Sequence, residues 1–245
     1  MMRPTQDRLD TVLESLGATK DCPVFVDSVV TVPDAAAALT VPGFEFERGD
    51  APDSVRLVGI LPARTAASWQ PPAWWAELDG SRPVVVVTQG TLANRDLSQL
   101  VEPALAGLAD QDVTVVAALG REAGPLPVPV PPNAHVAEFI PFDVLLPKAS
   151  VLITNGGLGG TQQAIAAGVP VIVAGVTEDK PAVAARVAYH NLGISLETAT
   201  PTPEAVAAAT ESVLKDTEMH ASVHKLAQVY AAHDPLGEIE RLTLA

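Results

Sequence analysis

Past residue 80 the chain alternates two textures. Pro83–Thr88 (PVVVVT) is a continuous apolar, β-branched run without polar alternation, the pattern of a strand buried on both faces. A helical period follows through LSQLVEPALAGLA, and Val113–Leu119 repeats the buried-strand pattern. Further strands are expected over Ala134–Phe139, Val151–Thr154, Val169–Ala174 and Ile194–Leu196. Helices are expected over Asp143–Lys148, Gly160–Ala167, Ala182–Asn191, Pro203–Lys215 and Glu218–Ala232. Strands that alternate regularly with helices predict an α/β fold built on a doubly wound parallel sheet.

The first 80 residues read differently, as a short N-terminal appendage. Leu9, Val12, Leu13 and Leu16 fall at helical spacing, with Gly17 as a stop. The rest is irregular and proline-rich, with strand-like pieces at Ala38–Val41 and Val55–Ile60. TAASWQPPAWWAELDG predicts an extended linker turning into a short helix, with Trp69, Trp74 and Trp75 anchoring it to the sheet domain.

Composition narrows the function classes. The 245 residues are 48% hydrophobic but only 4% aromatic, so Val, Ala, Leu and Ile must fill the core. A formal net charge of −14 disfavours nucleic acid and anionic membrane surfaces as partners. Cys22 is the single cysteine, which excludes an intramolecular disulfide and disfavours a cysteine metal site. No stretch reaches the ~18 apolar residues of a membrane span. The polar start MMRPTQDRLD lacks a signal-peptide run, so a cytoplasmic location is expected.

In a sheet of this kind, ligands bind beyond the carboxyl ends of the strands. Three loops fall there. Gln89-Gly90-Thr91 combines a glycine with a hydroxyl, and by itself reads as an ordinary turn. Thr154-Asn155-Gly156-Gly157-Leu158-Gly159-Gly160-Thr161 carries four glycines between a buried strand and a helix. Glycines let backbone approach a ligand, and the helix mouth offers free N–H groups and a positive dipole end to a phosphate. A tight, ligand-free turn is the alternative, although four glycines exceed what such a turn needs. The spacing fits neither GxxxxGK[ST] nor GxGxxG, which argues against a triphosphatase and a dehydrogenase. The third loop, Gly175–Pro181, reads by itself as a solvated surface, but in this position its Glu178, Asp179 and Lys180 can bond sugar hydroxyls.

Taken together, NGGLGGTQQAIAAGVPVIVAGVTEDKPAVAARV resembles the C-terminal domain of GT-B family 1 glycosyltransferases, in particular the macrolide type of actinobacteria. LTVPGFEFERGDAPDSVRLVGILPA and WQPPAWWAELDGSRPVVVVTQGT are similar to that family's interdomain segment and first C-domain strand. The resemblance implies residues 81–245 as a nucleotide-sugar donor domain and residues 1–80 as an acceptor-domain remnant plus linker. It implies a UDP- or dTDP-sugar donor, no resident cofactor and no metal. Asn155 takes the place of a diphosphate-contacting histidine, and being neutral it offers a weaker contact. Gly156, Gly157, Gly159 and Gly160 lie along the phosphate loop, and Thr91 matches the hydroxyl of the first loop. Gln163 matches a glutamate that holds the ribose. Phe139 stands beside the base, whose edge the backbone of Ile140 reads. Asp179 matches a sugar-binding aspartate, and Lys180 replaces a glutamine beside it.

The family's catalytic base is a histidine of the acceptor domain, oriented by an aspartate, and it serves inverting transfer to a hydroxyl. None of His135, His190, His220, His224 and His233 has a context for that role, so no catalytic residue is assigned and the chain alone is expected to transfer little or no sugar. The expected partners are a sugar nucleotide and a separate acceptor-domain protein or a second copy of the chain. The departures at Asn155, Gln163 and Lys180 also fit a non-catalytic partner or degenerate glycosyltransferase-like protein. A sugar-nucleotide epimerase would need carboxylates that the motifs do not place.

Overall fold

The computed structural model describes residues 3–18, 24–66, 68–92, 94–122 and 126–244. By internal contacts the chain divides into two compact units. One comprises Met1–Pro42, Glu47–Leu61 and His233–Ala245, and the other Gly43–Phe46 and Pro62–Ala232.

The first unit holds α1 (Arg3–Ser15), α2 (Ser28–Thr31), β1 (Ala36–Ala38), β2 (Val55–Leu57) and the terminal α9 (Pro235–Leu244). Its two strands pair in parallel, Ala37 opposite Arg56. α9 was not among the expected helices. Its apolar positions, Leu236, Ile239, Leu242 and Leu244, recur at helical spacing once Gly237 is accepted in the first turn.

The second unit is the α/β domain. Its strands are β3 (Val84–Thr88), β4 (Thr114–Ala118), β5 (Ala134–Ala137), β6 (Val151–Thr154), β7 (Val171–Val173) and β8 (Gly193–Ser195). They form one six-stranded, all-parallel sheet in the order β5-β4-β3-β6-β7-β8. The helices are α3 (Val101–Leu108), α4 (Phe142–Leu145), α5 (Leu158–Ala166), α6 (Lys180–Tyr189), α7 (Pro203–Lys215) and α8 (Thr217–Ala231). Every residue of β3, β4, β6 and β7 is buried, as the uninterrupted apolar runs require. One face of the sheet, through Val85, Val87, Val115 and Ile153, shares a core with Leu105 and Leu108 of α3 and Val206 and Val213 of α7.

Strand order fixes where a ligand can sit. The chain runs outward from β3 to β4 and β5, then returns to place β6 on the other side of β3. The loops after β3 and β6 therefore part in opposite directions and leave a crevice between them, at the switch point of the sheet.

Two helix starts differ from the expected ones. α5 begins at Leu158 instead of Gly160, so Gly159 and Gly160 belong to its first turn, where glycine is tolerated because the first amides have no intrahelical partner anyway. α6 begins at Lys180, two residues early, because Pro181 has no N–H to lose in a first turn. No helix among the described residues is long and apolar enough to cross a membrane.

Candidate functional site

Side chains at the strand ends hold the loops in place. At the end of β3, Thr88 Oγ1 accepts from the Gly90 amide (3.1 Å). Gln89, almost wholly buried, turns inward. Its Nε2 donates to the Asp96 carbonyl (2.9 Å), and its Oε1 accepts from the amides of Leu100 (3.3 Å) and Val101 (3.2 Å). It thus caps α3, which lacks a local side-chain cap. Asn94 Nδ2 bridges the carbonyls of Gly90 (2.8 Å) and Leu119 (2.9 Å), tying the loop after β3 to that after β4. Gly120 must be glycine here: φ is +67°, and a Cβ would run into the Gly90 carbonyl oxygen.

The glycine-rich loop is built in the same manner. Thr154 Oγ1 accepts from the Gly156 amide (3.3 Å), and Asn155 Nδ2 donates to the Gln89 carbonyl (2.6 Å). Gly156 has φ +88°, and a Cβ there would lie 2.6 Å from Val173 Cγ1. α5 then starts from Gly157 with no side-chain cap, so its first-turn amides and positive dipole end are free of a capping oxygen.

A cleft of ≈ 660 Å³ reaches α5 at Gly160, in its first turn, and Gln163. Gly90, Thr91, Gly120 and Phe139–Asp143 also line it. Phe139 is 63% exposed, a free aromatic face on the lip. A further wall comes from the linker, through Ala63–Ala66, Ser68 and Trp69. Thr65 fixes this wall by donating from its amide to Asp143 Oδ2 (2.7 Å) and from its hydroxyl to Oδ1 (2.6 Å). These hydrogen bonds hold the Asp143 carboxyl below the usual aspartate range. Trp69 packs edge-on against Trp75 (5.4 Å), and Trp74 stacks on His135 of β5 (4.5 Å, 6°).

The structure brings together Thr91, Phe139, Ile140, Gly160 and Gln163 around the cleft. Gly157 is the N-cap of α5, and Gly159 faces open space in its first turn. Gly156 is packed against Val173. Asn155 and Lys180 line a separate hollow of ≈ 50 Å³ behind the loop, together with Gln89 and Gly175. Lys180 is buried, and its ammonium pairs with Glu178. Asp179 is exposed at the N-cap of α6 and lines neither space. None of the five histidines lines the cleft. Among the described residues no group of three or more His, Cys, Asp or Glu could hold a metal ion. Sequence reasoning missed Gln89, Asn94, Asp143 and the linker wall. Asp143 and the linker wall act through contacts 78 residues apart, and Gln89 and Asn94 through contacts 4 to 25 residues away, none of which a local spacing reports.

The family model described as "Erythromycin biosynthesis protein CIII-like, C-terminal domain" matches residues 102–242. The chain belongs to this family. Its match to the erythromycin biosynthesis protein CIII-like C-terminal domain takes in β4 to β8 and the glycine-rich loop. A relative, 4'-demethylrebeccamycin synthase of Lentzea aerocolonigenes, is 40% identical over 235 residues, covering 96% of this chain and 55% of that protein. The UDP-glucosyltransferase avaP of Aspergillus versicolor is 37% identical over 246 residues, 96% of this chain and 54% of that protein. The chain spans about half the length of these relatives. Among solved structures, the glycotransferase of kitacinnamycin is similar with a TM-score of 0.77 and 27% identity, covering 96% of this chain and 61% of that one. The parallel sheet is thus the Rossmann-like C-terminal domain of the GT-B fold, from a family of glycosyltransferases.

Proposed function

We propose that this chain binds a UDP- or dTDP-sugar as the donor half of an inverting glycosyltransferase. The observation that carries the reading is the cleft at the switch point, faced by the uncapped start of α5. Amides of Leu158, Gly159 and Gly160, with Gly90 and Thr91 opposite, suit a pyrophosphate, whose charge they meet with fixed dipoles and no metal. Phe139 offers a face to the base and Ile140 a backbone edge. Gln163, whose Nε2 donates to the Gly159 carbonyl (3.2 Å), keeps its amide oxygen for the ribose. Asp179 is assigned to the sugar, which would then extend out of the cleft past the loop after β7.

The acceptor and the base that deprotonates it belong to a separate acceptor-binding part. With no histidine in the cleft, the chain alone should bind donor and transfer little sugar. Val24, Phe25, Val26, Val29 and Val32, exposed on the first unit, suit either an acceptor-domain protein or a second copy of the chain as partner. A clean monomer by light scattering at high concentration would argue against self-association.

A second reading, a non-catalytic partner of glycosyltransferase type, is favoured by two observations. The Asn155 amide bonds Gln89, the Lys180 ammonium bonds Glu178, and neither residue lines the cleft. Calorimetric titration with UDP and dTDP separates the two. Micromolar binding that Gly160→Leu abolishes supports the donor site, since a side chain there points toward Phe142 and the cleft without strain. No binding at millimolar nucleotide supports the partner reading.

A further inference from the structure

We infer that Arg64, on the linker wall, is the cation that meets the donor's pyrophosphate, an assignment that rests on the donor-site reading above. The chain carries a formal net charge of −14, so an anionic ligand approaches against an unfavourable field. Helix-end amides offer partial charge only. A side-chain cation at the cleft adds a full positive charge to what those amides supply.

The two candidates beside the glycine-rich loop do not supply it. Asn155 is neutral and donates to Gln89. The Lys180 chain runs beneath the loop, with Cβ 3.5 Å from where a Gly156 Cβ would stand, and its ammonium ends on Glu178. Both line the hollow behind the loop and not the cleft.

Among the described residues, Arg64 is the only cationic one in the cleft lining. It is exposed, and among the described residues no hydrogen bond or ion pair engages it. The single carboxylate among the described residues of the same lining is Asp143, the natural competitor for a guanidinium. Both of its oxygens already accept from Thr65, the residue next to Arg64. The clamp therefore does two things. It fixes the backbone that carries Arg64, and it keeps the nearby carboxylate from drawing the guanidinium aside. Trp69, packed on Trp75, holds the far end of the wall. The guanidinium, unengaged on a fixed stretch of backbone, can offer parallel N–H donors to two phosphate oxygens, a geometry that lysine cannot match.

The test is NMR titration of the whole chain with UDP and with uridine, for the native protein, Arg64→Gln and Arg64→Lys. Loss of one charge-assisted contact should weaken UDP by roughly tenfold or more in Arg64→Gln. Uridine, which has no phosphate, should bind that variant within about twofold of native. Arg64→Lys should fall between, because it keeps the charge and loses the fork. If Arg64→Gln binds UDP as tightly as native, or loses uridine and UDP in equal measure, the assignment to phosphate is overturned while the donor site stands. If the native chain binds neither UDP nor uridine at millimolar concentration, both fall together.

Discussion

Asn155 Nδ2 donates to the carbonyl oxygen of Gln89 across 2.6 Å, joining the loops that leave the adjacent strands β6 and β3. The bond ties the two loops together at the point where the sheet changes direction. It also gives the asparagine a structural task in the place where the family resemblance implies a diphosphate contact. Asn155→Ala should lower stability by about 1 kcal/mol, the usual net value of such a bond. Its UDP affinity should change less than that of Arg64→Gln. Urea unfolding and UDP titration of the two variants side by side check both statements.

Neighbouring glycines should answer alanine substitution in opposite ways. Gly156 combines φ +88° with a Cβ position 2.6 Å from Val173 Cγ1, so Gly156→Ala should cost about 1–3 kcal/mol. Gly157 has φ −61° and its nearest neighbour, Asn155 Oδ1, 3.9 Å away, so Gly157→Ala should stay within about 0.5 kcal/mol of native. Unfolding midpoints distinguish the two.

Acid should release the linker wall. Hydrogen bonds from Thr65 lower the Asp143 pKa, so the clamp is favoured in the carboxylate form. Its contribution is complete above the ordinary aspartate pKa of about 3.9 and disappears as pH falls through the lowered value. Tryptophan emission, reporting Trp69, should show a step only below about pH 4. The step should be missing in Asp143→Asn. A step above about pH 5 would contradict the clamp.

On the far side of α5, Tyr230 donates from its hydroxyl to Gln162 Oε1 at 2.8 Å, within the buried seam with α8. Tyr230→Phe removes this bond and should cost about 1 kcal/mol. Nucleotide affinity should be unchanged, since neither residue reaches the cleft. Paired denaturation and titration experiments test this separation of stability from binding.

The sheet could be read from the chain because its strands are buried on both faces and so carry runs such as PVVVVT and VLIT, with no alternation to misread. The glycine-rich loop stood out for a similar reason: its composition is itself the signal. Its exact junction with α5 was less accessible, because glycines at 159 and 160 look like loop yet are helical when the first turn faces an open cleft. Gln89 looked like part of a simple turn, and its capping of α3 at Leu100 and Val101 depends on contacts 11 and 12 residues away. The linker wall was invisible for the plainest reason. Arg64 and Thr65 lie in a proline-rich stretch without periodicity, and their role depends on Asp143, 78 residues downstream of Thr65.

The central claim is that pyrophosphate settles against the start of α5. Amide chemical shifts followed during UDP titration of the isotopically labelled chain test it most directly. The largest changes should fall on Gly90, Thr91, Leu158, Gly159 and Gly160, with smaller ones at Phe139 and Ile140. Saturable changes confined to residues away from that helix start, with these amides unmoved, would contradict it.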